Sequence, residues 1–574
     1  MSKHATTTHS TKTIGAFHRE NTLAWCHNPP HRLPKRLTVV LTDFLIIAVY
    51  FAVILIIGIR AGSGQKTLET YSVGNRDVPW FAVLASILAA EISAATFLGA
   101  PGEGYAHRNF TYAQLALGTV IARIVIALLF IKPFYEQKVI SIYEYLENRF
   151  GPRTRDAASA IFLVTRTLAS GTRLYVAAIV LVMGYEMVSG TRLSEMQQVF
   201  VYVSAVLLLA TLTCIYTAIG GIKAVVWTDL IQASLMFGSL GFVVWKLLHD
   251  LPDGWATART TLSNAKDLTF FDFGWDATLP IGANLKRVLE SEYTLWAALI
   301  GSTFTTMATH GTDQDMVQRM LTAKNTQRSR LSLILSGLAD LPLVLLFLFV
   351  GILLWVRYQE PGKDAPFAFY IVHDLPPGFR GLVVAGIFAT AMGSLSTALN
   401  SLATIYTRDW FLRKQRPHAS EVESLRCAKR STVWFSLALV VIGSLTAYAK
   451  IVLQARIIPI VLGVFGYTYG SLLGIFLLGL LTKRGSERGN IIAMATGFVA
   501  VGLLSGLHND IWALAHPSNN GSATLWKPDW LPTVEFPWRI FFGATVTFLV
   551  GFAFPPSRFR NATPCASKPA ITVN

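Results

Sequence analysis

The stretch GGIKAVVWTDLIQ, Gly220 to Gln232, sets Lys223, Trp227, Thr228, Asp229 and Gln232 between two long apolar segments. A carboxylate at membrane depth is costly enough to mark a functional position by default. The plainer reading makes Asp229 a helix cap and leaves Trp227 and Lys223 as interfacial anchors. Upstream, LVTRTLASGTRLYVAA carries Arg166 and Arg173, seven residues and so two helical turns apart on one face. Guanidinium groups at that depth need carboxylates or a water-filled cavity. They are either permanent partners of Glu91, Asp313 or Asp229, or bidentate receivers of an anionic solute. For the second role Arg173, close to Tyr175, is the candidate. Arg123 reads as snorkelling or paired. Glu91 is a carboxylate that could strengthen cation binding or carry a proton.

The elements that must position these residues are membrane helices. The chain has 574 residues, 52% of them hydrophobic and only 14% charged. A bilayer crossing needs about 20 mostly apolar residues, and about thirteen such stretches are present. Short period-2 segments of a lipid-facing barrel are absent. The expected order is a disordered tail over 1–37, an additional first helix over 38–60, and spans 2–6 over 80–247. Spans 7–11 follow over 293–481, then peripheral helices over 490–555 and a tail over 556–574. The net charge of +16 is spread unevenly. Lys138, Arg149, Arg153 and Arg155 form one basic loop, Arg319, Lys324, Arg328 and Arg330 another, and the segment 407–431 and Lys483, Arg484 and Arg488 two more. By the positive-inside rule these loops are cytoplasmic, which places the N-terminus outside, the C-terminus inside and the protein in the plasma membrane. The basic residues of the N-terminal tail run against that orientation. The segments 248–292 and 358–380 are then external and predict short amphipathic helices over an outer vestibule. Cys26, Cys214, Cys427 and Cys565 are too scattered for a disulfide framework.

Two spans read as interrupted. Unpaired backbone inside lipid survives only where protein or a water-filled site satisfies it. The second span runs LAAEISAATFLGAPGEGY, with Glu91, Ser93 and Thr96 among small residues and then Gly99, Pro101, Gly102 and Gly104. The seventh runs GSTFTTMATHGTDQDMVQR, rich in Thr and ending in Asp313 and Asp315. They lie five spans apart, the offset of two inverted repeats that each open with a broken helix. A third segment, Gly386 to Asp409, offers small and hydroxylated residues for close helix packing or for oxygen ligands.

These motifs resemble the sodium:solute symporter family, in GG-x-x-A-V-x-W-T-D-x-x-Q over Gly220–Gln232, GTDQDMVQRML over Gly311–Leu321, SLSTALNSLAT over Ser394–Thr404 and IYEYLENRFG over Ile142–Gly151. The resemblance covers roughly residues 38–500. It implies an all-α polytopic fold with a 5+5 inverted-repeat core of the leucine-transporter type, and sodium as the co-transported ion with no organic cofactor. The implied sodium ligands are the carbonyls of Ala89, Ile92 and Thr390 and side chains at 393 and 394, with Asp229 beside the exit route. Position 394 is Ser394, but position 393 is Gly393, where the family carries a hydroxyl, so one oxygen must be replaced. The implied solute position lies between the broken helices and the fourth span, with Ser93, Thr96, Glu91, Thr309, His310, Thr312, Arg166 and Arg173 as its candidate contacts. His310 stands where sugar-transporting relatives place an aromatic residue.

The resulting expectation is a secondary active symporter working by alternating access on a small organic solute, an organic anion ahead of a neutral sugar. A proton-coupled carrier or a membrane solute sensor on the same fold is the alternative. The sequence contains no H-E-x-x-H, G-x-S-x-G, Walker A or Cys/His cluster, so catalysis and ATP hydrolysis are not expected. The partners expected are a small solute and the lipid bilayer, with no nucleic acid.

Overall fold

The computed structural model describes residues 33–556 apart from 63, 190–192, 263–265, 361–364, 453–456, 509–510 and 512–533. The expectations for residues 1–32 and 557–574 lie outside the described residues. Among the described residues the chain is helical, and its one β contact is an isolated parallel bridge between Val78 and Ala323.

Helix α1, Leu33–Ala61, turns Phe44, Leu45 and Val49 outward, as a lipid-facing helix must. A short α2, Leu68–Val73, leads to α3, Trp80–Glu91, and α4, Ala94–His107. Next come α5, Leu115–Leu129, α6, Ile131–Glu136, α7, Tyr143–Phe150, α8, Pro152–Ser189, and α9, Glu195–Asp250. The segments expected to form short external helices hold α10, Trp255–Thr261, and α11, Ile281–Leu289. A π-helical turn, Ala297–Ser302, runs into α12, Thr303–Gly311, followed by α13, Gln314–Met320, and α14, Thr326–Tyr358. The chain continues through α15, Pro366–His373, α16, Phe379–Ile405, α17, Glu421–Ile451, and α18, Ile457–Leu481. It closes with α19, Glu487–Leu504, and α20, Phe536–Ala553.

Nine helices among the described residues are long and apolar enough to cross a membrane, ten if α3 and α4 count as one bent span. The thirteen expected stretches divide the same chain more finely. Helix α9 alone has 56 residues, some 80 Å at 1.5 Å per residue against a hydrocarbon core of about 30 Å. It therefore holds two of the expected stretches and bends between them at Gly221, whose φ of 53° and ψ of −153° only glycine adopts readily. A Cβ there would meet the Tyr71 carbonyl oxygen at 2.6 Å. The Gln65 side chain donates to the Gly220 carbonyl, which the bend exposes.

The second span also breaks, but not at its Gly/Pro cluster. Helices α3 and α4 meet at 66° across Ile92 and Ser93, while Pro101, Gly102 and Gly104 all lie inside α4. Pro101 and Gly104 serve packing instead. A Cβ on Gly351 of α14 would sit 2.7 Å from the Tyr105 amide nitrogen, and one on Gly104 would sit 2.9 Å from Leu348. The two helices touch backbone to backbone.

Helix α16 is the axis of the bundle. Every residue from Val383 to Ile405 is buried, and its neighbours include α1, α3, α8, α9 and α17. Its Gly, Ala, Ser, Thr and Asn residues, interspersed with Phe388, Met392 and several Leu and Ile, suit this position, because small side chains let neighbouring helices approach closely.

The Gly221→Ala variant is expected to lose ~1–3 kcal/mol, the usual cost of forcing a Cβ into this backbone region. The check is the thermal unfolding midpoint in detergent, and an unchanged midpoint would show that the bend does not depend on glycine.

Candidate functional site

The breaks in α3/α4 and α12/α13 face one cavity of about 370 Å³, within the range of small-molecule sites. Each break is capped from within. Ser93 Oγ accepts from the Thr96 amide at the start of α4, and the Asp313 carboxylate accepts from the Asp315 amide at the start of α13. Of the solute contacts implied by the sequence, Glu91, Thr96, Arg166, Arg173, Thr309 and His310 line the cavity. Ser93 and Thr312 do not. Ser93 is engaged as the cap, and the Thr312 hydroxyl donates to the Ala308 carbonyl at 2.8 Å.

The arginines divide by partner. Arg166 pairs with Asp313 Oδ2 at 3.0 Å and with Asp315. Arg123 pairs with Glu91 and donates to Ser336 Oγ at 2.8 Å. Arg173 is different: among the described residues no carboxylate pairs with it and no group accepts its hydrogen bonds. Its guanidinium lies 5.0 Å from the ring centroid of Phe465 and faces the cavity. His310 Nδ1 lies 3.0 Å from Thr309 Oγ1, and Nε2 lies 3.5 Å from Arg123 and 3.8 Å from Glu91 Oε1.

Beneath the cavity runs a buried charge network. Arg319 pairs with Asp229 Oδ2 at 3.0 Å and with Asp315 Oδ1 at 3.1 Å. Its Nε donates to Ser86 Oγ at 2.7 Å, and Ser86 in turn donates to Asp229 Oδ2 at 2.6 Å. Tyr469 donates to Asp313 at 2.8 Å. Arg319 is thus not the loop cation that its place among basic residues suggested. It has 0% exposure, because GTDQDMVQRM folds inward as α13 and brings Asp315 and Arg319 onto one face at i, i+4. Arg155 likewise leaves the expected basic loop and is buried between Glu144, Glu147 and Asp409.

Gly393 stands where Asp229, Gln232 and α3 converge. The position that a Cβ on Gly393 would take is 3.0 Å from Gln232 Oε1, 3.3 Å from the Ala89 carbonyl oxygen and 3.4 Å from Asp229 Oδ1. Asp229 Oδ1 and Gln232 Oε1 are buried and accept no hydrogen bond from any described residue. Ala89 is among the last four residues of α3, whose carbonyls the helix's own ladder leaves without donors. Three acceptor oxygens therefore surround a space that the missing side chain keeps open. The Thr390 and Ser394 hydroxyls donate to Ile387 and Ala391 of their own helix, which leaves their oxygen lone pairs free. Ile92, in extended backbone at the break itself, lines the cavity.

Two cavity residues escaped the sequence reading. Asp340 in α14 and Arg539 in α20 belong to no motif, and each sits in a segment that reads as plain lipid-spanning helix. The only available signal was a charge inside an apolar run. Arg539 donates to the Val534 carbonyl at 3.3 Å and reaches the Tyr467 hydroxyl at 3.5 Å, both neutral acceptors.

Comparison with known proteins bears on family and fold. The model of the sodium:solute symporter family matches residues 71–497. A sodium/sialic acid symporter of Proteus mirabilis (strain HI4320) is 27% identical over 480 residues, covering 80% of this chain and 88% of its own. Sodium-coupled monocarboxylate transporter 1 of Homo sapiens is 27% identical over 492 residues, covering 83% and 75%. The fold is similar to that of a solved Na⁺-coupled sialic acid symporter in a substrate-bound outward-open state. That match has a TM-score of 0.72 at 23% identity over 90% of this chain and 99% of the other. The chain belongs to the sodium:solute symporter family: it is an integral membrane protein and a sodium-coupled solute transporter rather than an enzyme.

Proposed function

We propose that the protein imports a small organic anion, with the solute carboxylate received by Arg173 and sodium held beside Gly393. The observation that carries the solute reading is the unpaired guanidinium of Arg173, turned into the cavity while Arg166 and Arg123 are matched by carboxylates. A buried cation without a counter-charge is expensive, and an anionic solute supplies the missing charge through bidentate hydrogen bonds. Thr96 and Thr309 stand in the same cavity and suit the polar remainder of such a solute. The relatives named for sialic acid and for monocarboxylates transport acids, which accords with this reading.

The sodium reading rests on donor chemistry. Sodium is a hard cation that takes oxygen ligands, and Asp229 Oδ1, Gln232 Oε1 and the Ala89 carbonyl surround the space at Gly393. Ile92, Thr390 and Ser394 stay in the proposed set as neighbours on α3 and α16. The loss of the hydroxyl at 393 is then made good by the Asp229 carboxylate and the Gln232 amide, so that Asp229 acts as a ligand as well as a post on the exit route. Charge supports the same assignment. The network holds Asp229, Asp313 and Asp315 against Arg166 and Arg319, one negative charge in excess. A monovalent cation completes it.

We place the segments 80–247 and 293–481 as inverted repeats, supported by one break in the opening helix of each, at Ile92–Ser93 and at Thr312–Asp313. Alternating access then follows from movement of these halves around the midplane site. The orientation proposed is an external N-terminus and a cytoplasmic C-terminus in the plasma membrane, supported by the basic loops.

Uptake of labelled sialic acid and short monocarboxylates into proteoliposomes under an inward sodium gradient tests the solute reading. Replacing Arg173 by Gln should raise KM for any transported acid by roughly ten- to a hundredfold, since a charge-assisted hydrogen bond is worth about 1.5–3 kcal/mol. Arg173→Lys should recover part of the loss, and an unchanged KM in both variants would remove Arg173 from the site. The sodium reading is tested by paired substitutions at 393. Gly393→Ala fills the space with a methyl group and should raise the half-saturating sodium concentration about tenfold or more, equivalent to about 1.4 kcal/mol. Gly393→Ser brings an oxygen with its bulk and should raise it less. If serine, the larger residue, proves the more damaging, the space at 393 is a packing feature and not an ion position.

A further inference from the structure

Beside Arg173, and Arg539 with its two neutral acceptors, the cavity holds an unmatched charge of opposite sign. Asp340 lies near the middle of α14, with a relative exposure of 8%, and its side chain lines the cavity. Among the described residues it makes no hydrogen bond and no ion pair. The neighbouring guanidinium, Arg123, is committed to Glu91 and to Ser336. His310 is turned to Thr309, Arg123 and Glu91. This wall, built by α3, α5, α12 and α14, therefore sets Glu91 and Asp340 against one arginine and is left one negative charge in excess. Arg173 stands on α8, a different wall of the same cavity.

A mid-membrane carboxylate with no partner is costly, and the simplest ligand that satisfies it is a cationic group held inside the cavity. Arg173 and Asp340, unmatched and of opposite sign, line one cavity of about 370 Å³, a volume within the range of small-molecule sites. We propose that the preferred solute is a zwitterion, an acid bearing a cationic nitrogen, with its carboxylate on Arg173 and its ammonium group on Asp340. The assignment rests on the carboxylate reading of Arg173 and goes beyond it in naming the second pole. It separates this cavity from one built for a simple monocarboxylate, which would leave Asp340 unmatched after binding. The nitrogen's hydrogen bonds to the carboxylate are charge-assisted, the class that discriminates most strongly against an analogue unable to form them.

The test uses matched probe pairs that share a skeleton and differ in the amino group: alanine and lactate, 4-aminobutyrate and 4-hydroxybutyrate, proline and tetrahydrofuran-2-carboxylate. Their affinities are measured on the purified full-length protein in saturating sodium chloride from the ligand-induced shift of thermal unfolding. In at least one pair the amino member should bind tenfold or more tightly than its hydroxy or ether counterpart. Asp340→Asn should abolish that preference while leaving the oxygen analogue within about twofold, and Arg173→Gln should weaken both members. Should Asp340→Asn prove poorly folded, Asp340→Glu keeps the charge one methylene further into the cavity and should shift the preference toward the shorter amino acid. Equal binding within every pair overturns the proposal, as does a preference that survives Asp340→Asn. A variant that alters only the sodium or pH dependence of acid binding also overturns it, because Asp340 would then hold an ion or a proton. If the oxygen acids bind and the amino acids do not, the zwitterion is excluded while the carboxylate reading stands. If no probe binds, both readings fall.

Discussion

A charge inside a lipid-embedded bundle has to be matched within its own neighbourhood, and this protein is organised by how that matching is done and where it is left incomplete. Bulk water cannot screen Asp229, Asp313, Asp315, Arg166 and Arg319, whose side chains are at most 5% exposed. They come from α8, α9, α13 and the α12/α13 break, and Ser86 of α3 and Tyr469 of α18 complete their hydrogen bonds. Removing one member strands another charge, which typically costs about 3–5 kcal/mol, so the relative placement of these helices is tied to the network. The packing around it obeys the same condition. Helix α16 packs against both α3 and α9, and Ser86 of α3 meets Asp229 of α9 beside it.

The broken helices answer a second constraint, the cost of bare backbone in lipid. Each break exposes carbonyls at the end of one helix and amides at the start of the next, and these ends carry opposite partial charge. The carbonyl end of α3 points Ala89 toward Asp229 and Gln232, a place that favours a cation. The amide ends of α4 and α13 are closed by Ser93 and Asp313, and Asp313 also holds Arg166. A single residue in the second break thus caps a helix and anchors the charge network. Loss of either role would disturb the other.

Much of this was legible in the sequence where a motif carried geometry with it. GGIKAVVWTDLIQ brought Asp229 and Gln232 three residues apart on one turn, and the offset between the two polar spans located both walls of the cavity. The failures share a physical cause: spacing along the chain does not say which side of a helix a residue packs on. The Gly/Pro cluster of the second span lies inside an unbroken α4, where Pro101 and Gly104 pack against α14, because glycine serves close approach as readily as it serves a bend. Arg319 looked like a loop cation because basic residues follow it, yet α13 turns it into the core. Ser93 carries a hydroxyl beside a break, yet that hydroxyl is spent on the cap of α4. Asp340 and Arg539 sit alone in apolar segments, where only the tertiary arrangement of α14 and α20 shows that they share a cavity.

Under the proposed function, the coupling of ion to solute follows from what lies between the Asp229 cluster and Arg173. In the proposed assignment Arg166 belongs to the network that would receive the cation, and Arg173 is the cavity guanidinium that would receive the acid. They are two turns apart on α8, and the Phe465 ring lies 5.8 Å from one guanidinium and 5.0 Å from the other. A cation at Gly393 relieves the excess negative charge that otherwise pulls on Arg166, and an anion at Arg173 relieves the repulsion between two like charges on one helix face. Each ligand therefore lowers the cost of the other. Linkage makes that effect reciprocal, so the energy by which sodium tightens solute binding is the energy by which solute tightens sodium binding. An uncoupled leak requires one ligand to pass alone, with Arg173 or the Asp229 cluster left uncompensated in low dielectric, and that cost is what ties the two fluxes together.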